Sequence, residues 1–193
     1  SRFSLVAPPT SVGFGNVEVG AAGTGVAVDD TKEVAGRTLH NGQKFPSTLW
    51  VTRGILQTAV QPNLDVALMG GFLPYSKLFS VAGGVQYGIM TGPDPLPNVS
   101  ARVGYSALFG GQKLSVSTTN IELLGSLHIK YFEPYMGVGF SYSSAATTYH
   151  YTTLSRVDVT RRANWTDVYF MLGSGIAIVQ GLSLNAELQL SSV

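Results

Sequence analysis

The chain has no cysteine among its 193 residues, which excludes a disulfide framework and any thiolate metal site. It is also poor in charge: Asp, Glu, Lys and Arg make up 12% of it, about half of the roughly 25% usual in soluble domains. A soluble protein of this size needs more charged side chains to clothe its surface. No run reaches the ~20 consecutive apolar residues that a membrane helix requires. The net charge of +1 leaves no basic footprint for nucleic acid. No Gly-x-Ser-x-Gly nucleophile turn is present. His40, His128 and His150 lie too far apart in the chain for metal-ligand spacing.

What the chain does have is glycine (23 residues), an apolar content of 45%, and a period of two. Phe79, Val81, Gly83, Val85, Tyr87 and Ile89 alternate with Ser80, Ala82, Gly84, Gln86 and Gly88. Val99, Ala101, Val103, Tyr105 and Ala107 alternate with Ser100, Arg102, Gly104 and Ser106. Ile121, Leu123, Gly125, Leu127, Ile129 and Tyr131 alternate with Asn120, Glu122, Ser126, His128 and Lys130, with one lapse at Leu124. Successive side chains of a strand point to opposite faces, so each run has one greasy and one polar side. Such runs, separated by turn residues, predict an all-β, antiparallel, up-and-down barrel of about eight to ten strands. Without an apolar helix, a closed barrel is the one structure left that pairs its whole backbone within a bilayer. The competing expectation is a Gly-rich soluble sandwich or a lipocalin-like carrier of apolar ligands, whose greasy faces would point inward.

Residues 1–47 read as an N-terminal extension, with a leading linker at Ala7-Pro8-Pro9-Thr10, a strand or lumen segment within 12–28, and a loop from Asp29 to Pro46. Residues 48–193 read as the barrel. Turns are expected at Gln61-Pro62-Asn63, at the proline-rich stretch 92–97, at Gly110-Gly111-Gln112, at Phe132-Glu133-Pro134 and at Gln180-Gly181. Between Leu114 and Tyr131 the apolar phase slips from even to odd positions. A slip of that kind predicts a bulge near Thr119–Asn120, or a strand end that projects beyond the bilayer. Residues 143–164 read as a long polar loop continuing as a hairpin.

Phe132-Glu133-Pro134-Tyr135-Met136-Gly137-Val138-Gly139-Phe140-Ser141-Tyr142 resembles a strand type common in small Gram-negative outer-membrane β-barrels. The stretch from Ser174-Gly175-Ile176 to Gly181-Leu182-Ser183-Leu184-Asn185-Ala186-Glu187-Leu188 resembles the final hairpin of the same group. The resemblance spans residues 48–193 and implies a bacterial outer-membrane location, with lipopolysaccharide and phospholipid, and other envelope proteins, as partners. One departure is the chain end, Leu190-Ser191-Ser192-Val193, where such barrels close on an aromatic residue. Short turns at 61–63, 132–134 and 180–181 fit the periplasmic side. On that topology a closing strand is expected after Val193 or from a partner, for about ten strands in all; the alternative is an eight-stranded ring.

The polar phase nominates a lumen network of Asp65, Gln86, Arg102, Glu122, His128, Lys130 and Glu187, in which acids and bases pair to offset burial in low dielectric. Arg102 and Lys130 would offset Glu122 and Glu187. Trp50, Tyr75, Tyr87, Tyr105, Tyr131, Tyr135, Tyr142 and Trp165 are candidates for interfacial girdles. Arg156, Arg161 and Arg162 are candidates for lipid-phosphate contact. No catalytic residue, metal or cofactor is expected. The functional expectation is a structural or anchoring component of the cell envelope or of a larger membrane assembly. A small porin or solute channel is the alternative, favoured by the inward glycines and serines at Gly84, Gly88, Gly104, Ser106, Gly137 and Gly139.

Overall fold

A computed structural model describes residues 17–27, 48–73, 78–90, 96–110, 114–151, 157–179 and 182–191. They form nine strands: β1 (Val17–Ala27), β2 (Thr48–Gln61), β3 (Leu64–Leu73), β4 (Leu78–Met90), β5 (Pro97–Gly110), β6 (Leu114–Leu127), β7 (Phe132–Tyr151), β8 (Val157–Val179) and β9 (Leu182–Ser191). Every neighbour in the sheet is a neighbour in sequence, and every pair is antiparallel. The sheet curls into a half-barrel, and no helix occurs among the described residues. β1 and β9 are its edges. Of the N-terminal extension, residues 17–27 form β1 and pair along β2 from Val17↔Thr58 to Ala27↔Thr48; the rest of 1–47 lies outside the described residues.

The alternation decides the faces. On β3, Asp65, Ala67 and Met69 are buried while Leu68 and Phe72 are exposed. On β5, Asn98, Ser100, Arg102, Ser106 and Leu108 are buried while Val103, Tyr105 and Phe109 are exposed. The usual arrangement is thus inverted: the polar phase lies on the concave, buried side and the apolar phase on the convex side.

Three strand expectations need correction. No bulge interrupts β6, whose register runs unbroken from Leu114 to Ser126 against β7 and from Leu114 to Leu127 against β5. The phase slips because the surroundings change and the backbone does not. Val116 turns inward and packs beside Val51 and Leu108, with Leu78 and Ala82, in an apolar cap inside the curve, while Ser115 and Thr119 turn outward. The register shifts instead fall next to turns, between Ala59 and Gln61, Gly88 and Met90, and Ala177 and Val179. The second correction is the turn after β6. Ile129 and Phe132 exchange both backbone hydrogen bonds at 2.9 Å, so Lys130 and Tyr131 make the turn and Glu133 and Pro134 belong to β7. Finally, the loop expected at 143–164 is mostly paired strand, from Ser143↔Trp165 to Tyr151↔Val157, so that only the hairpin part of that expectation holds.

Lys130 carries the turn at φ 55°, in the left-handed region that costs an L-residue roughly 1–2 kcal/mol and glycine nothing. Lys130→Gly is therefore expected to raise stability by about 1 kcal/mol, less whatever glycine adds to the freedom of the unfolded chain. Lys130→Val is expected to lower it. Urea midpoints of the refolded protein check both.

Candidate functional site

The concave face is organised by rows that run across the strands. One row follows the pairings Asp65↔Gln86, Gln86↔Arg102, Arg102↔Glu122, Glu122↔Gly139 and Gly139↔Tyr169. Arg102, 1% exposed, donates from Nε and Nη2 to Gln86 Oε1 at 3.1 and 2.9 Å, and from Nη1 to Glu122 Oε2 at 3.2 Å. Glu122 accepts two further bonds on Oε1, from Asn120 Nδ2 at 2.8 Å and from the Tyr169 hydroxyl at 2.6 Å. A buried charge is tolerable when it is paired and its remaining lone pairs are filled, and both conditions are met here.

Tyr169 reaches Glu122 by crossing a whole strand. Its ring lies over Gly139 of β7, where a Cβ would stand 2.3 Å from the ring. The arrangement recurs one hairpin on, in mirror sense. The Tyr135 ring of β7 lies over Gly173 of β8, where a Cβ would stand 2.2 Å from it, and its hydroxyl donates to Glu187 Oε2 of β9 at 2.9 Å. In both, glycine leaves the trough that the tyrosine fills, and a carboxylate two strands away holds the hydroxyl. Leu124 and Met171, each 1% exposed, pack with the two rings. A layer of side chains therefore packs the concave face beside the ion pair, and the Val51–Leu108 cluster packs it towards the β7–β8 hairpin.

The nominated residues divide as follows. Gln86, Arg102 and Glu122 come together in one network, and Asp65 is buried at the end of their row. Glu187 belongs to a second group, with Tyr135, Gln189 (2.7 Å) and the field of Arg53 of β2. His128 is half-exposed beside the turn, its Nδ1 3.9 Å from Glu133 Oε2, while Ser126 donates to Glu133 Oε1 at 2.8 Å. Lys130 is exposed in the turn and joins neither group, so the cation whose field reaches Glu187 is Arg53 and not Lys130. Arg161 and Arg162 are exposed on β8, and Arg156 lies outside the described residues. Tyr135 leaves the expected girdle for the interior; Tyr87, Tyr105, Tyr131, Tyr142 and Trp165 are exposed. Tyr75 and the Trp50 side chain lie outside the described residues. Arg53, Asn120, Glu133, Asp167 and Tyr169 were not among the nominated lumen residues. Tyr135 and Tyr169 share a phase with inward glycines, Gly137 and Gly139 on β7 and Gly173 on β8, and that phase was the available signal. Among the described residues no three of His, Asp and Glu gather to hold a metal ion.

The convex face carries a continuous apolar belt. Val66, Val85, Val103, Ile121, Phe140 and Val168 are direct neighbours on six successive strands. The next row holds Leu64, Tyr87, Ala101, Leu123, Val138, Phe170 and Leu190. The belt slants across these rows. On β3–β5 it ends in the row Phe72, Phe79 and Phe109, the first two with ring centroids 5.0 Å apart. Phe109 pairs with Ser115, and Ser115, Ser117 and Thr119 intervene before apolar residues begin on β6 at Ile121. At the other border the belt continues on β7–β9 to Met136, Leu172 and Leu188, and then to Phe132, Ile176 and Leu184. The first of those rows already meets the last residue of β4, through Gly125, Val99 and Met90. A level belt on tilted strands slants across the hydrogen-bond rows in this way.

No family model matches the chain, and neither a curated protein nor a solved structure is similar to it. Its function is therefore read from its own geometry.

Gly139→Ala is expected to cost about 1–3 kcal/mol by forcing the Tyr169 ring out of its trough. Tyr169→Phe removes a bond to a buried carboxylate, which is worth about 1.5–3 kcal/mol. The Gly139→Ala/Tyr169→Ala double variant should cost less than the sum of its singles, because the clash vanishes with the ring. Additive costs in a urea-unfolding cycle would rule the contact out.

Proposed function

We propose that the chain is a membrane-spanning β-barrel of a bacterial outer membrane that serves as a structural, anchoring component of the envelope or of a larger assembly there. The observation that carries this reading is the slanted belt. Exposed Leu, Val, Ile and Phe side chains recur on every neighbouring strand, and the cover ends at different residues on different strands, as a level hydrocarbon layer requires. Patches of a few hundred Å² are the ordinary limit on a soluble monomer, and this belt runs across the sheet from β3 to β9. Membrane strands need about 9–11 residues, which each of the nine supplies. A lipocalin-like carrier needs these side chains on the concave face, which here is lined with Arg, Glu, Asn and Ser.

Anchoring is preferred to transport because the interior is filled. Three of the five inward glycines that favoured a channel lie under neighbouring side chains: Asn120 occupies the space at Gly104, Leu124 that at Gly137 and Tyr169 that at Gly139. An eight- to ten-stranded barrel has an interior just wide enough for side chains. The reading includes no catalytic step, and lipopolysaccharide and phospholipid are its natural neighbours. Beyond the belt, β7 and β8 continue together as a hairpin with Arg161, Arg162, Asn164 and Trp165 exposed. That hairpin is the part an anchored barrel would present to lipid headgroups or to envelope partners.

On this reading the purified protein stays soluble only in detergent, and its unboiled band on a gel shifts on boiling. Val103→Arg, at the middle of the belt, should cost about 2–4 kcal/mol in urea-titrated refolding into vesicles. Ser117→Arg, beyond the belt on the same face, should stay within ~0.5 kcal/mol. Solubility without detergent, or equal costs for the two, would sink the membrane reading.

A further inference from the structure

We infer that the interior of the barrel favours small inorganic cations and excludes anions, so that whatever ion movement the packed lumen permits is cationic. The inference rests on the membrane reading above and adds a selectivity to it. Its first support is charge. Among the described residues, the concave face holds the carboxylates of Asp65, Glu122, Glu133, Asp167 and Glu187 against the guanidinium groups of Arg53 and Arg102. The acids stand towards both mouths. Asp167 lies towards the β7–β8 hairpin, opposite Ser141, and Glu133 lies beside the Lys130–Tyr131 turn at the other end. Carboxylates spread along a narrow, low-dielectric passage raise the local concentration of cations and repel anions.

The second support concerns which atoms remain available. The donors of Arg102 are directed at Gln86 and Glu122, that of Asn120 at Glu122, and that of Gln189 at Glu187. By contrast, four buried side-chain oxygens, Ser100 Oγ, Ser141 Oγ, Asn120 Oδ1 and Asn185 Oδ1, make no hydrogen bond to a described residue. Ser100 and Ser141 are 0% and 1% exposed. Ser141 sits between Asn120 and Asp167 in a single row of the sheet, next to the row of the ion pair. Oxygen lone pairs replace the hydration shell of a hard cation. An anion would need N–H or O–H donors, and the N–H groups of Arg102, Asn120 and Gln189 are already turned to carboxylates or to Gln86; the Ser100 and Ser141 hydroxyls can turn a lone pair or a proton to an ion, so the carboxylates decide which ion they meet.

The test uses the full chain in lipid. Wild-type protein in phosphatidylcholine vesicles loaded with labelled RbCl should release Rb⁺ slowly but above protein-free vesicles, and Cl⁻ at the protein-free rate. Leu124→Ala/Met171→Ala thins the apolar layer without touching a charge. In a planar bilayer with a KCl gradient it should conduct with a zero-current potential on the cation side, several-fold selective. Adding Asp167→Asn and Glu187→Gln should pull the ratio towards one. Anion preference, equal Rb⁺ and Cl⁻ release, or silence of both proteins would overturn the inference. A wild-type band that fails to shift on boiling, or protein that stays out of the vesicles, would instead count against the membrane reading itself.

Discussion

The ion pair of Arg102 and Glu122 sets the terms for the rest of the molecule. Two charges this deeply buried persist only if every remaining lone pair and proton is served, and in a single curved sheet the servers must come from across the curve. Gln86 of β4, Asn120 of β6 and Tyr169 of β8 converge on them. That convergence ties five successive strands to one curvature, since flattening the sheet would carry Tyr169 away from β6. An apolar core would supply adhesion without direction. A charged network supplies direction, because a displaced partner leaves a buried charge uncompensated, at a cost of about 3–5 kcal/mol.

Glycine is what lets the network close. Hydrogen-bonded neighbours stand about 4.8 Å apart, and Tyr169 must reach a carboxylate two strands away. It does so only where the intervening strand has no side chain on that face. Gly139 and Gly173 are spent on this, one in each half of the β7–β8 hairpin. The abundance of glycine, which suggested an open lumen, thus serves the opposite end. The space left by the missing Cβ is taken by a ring from the next strand, and the interior fills.

Much of this was legible in the residues. Period-two alternation over Phe79–Ile89 and Val99–Ala107 assigned each side chain to its face, because a strand has only two faces and one-residue slips are costly where one face is apolar. The pairing of Arg102 with Glu122 followed from burial and opposite charge. What alternation does not encode is height. It gave His128 and Lys130 the same phase as Glu122, yet the strand ends at Leu127 and Lys130 turns the chain in a left-handed conformation. Nor does it distinguish a backbone slip from a change of surroundings. At Thr119 the outer face passes from apolar to hydroxyl-bearing while the inner face gains Val116, and the pattern inverts with the register intact. Tyr135 was misplaced for a related reason. Aromatic residues suit a girdle by chemistry, but position 135 is in phase with Gly137 and Gly139 and so faces in.

The slant of the belt links these levels. Because strands in a barrel tilt, a level boundary outside the molecule cuts successive strands at successively later residues. The same offset lifts the ends of β6, β7 and β8 above the belt, where their outward residues become Ser117, Thr119, Ser144, Asn164 and Thr166. Inside, the curl of the sheet brings the field of Arg53 of β2 to Glu187 of β9, although the two lie near opposite margins of the sheet. A soluble sandwich could share the alternation, but it would have no cause to end its apolar cover along a line oblique to its own hydrogen bonds.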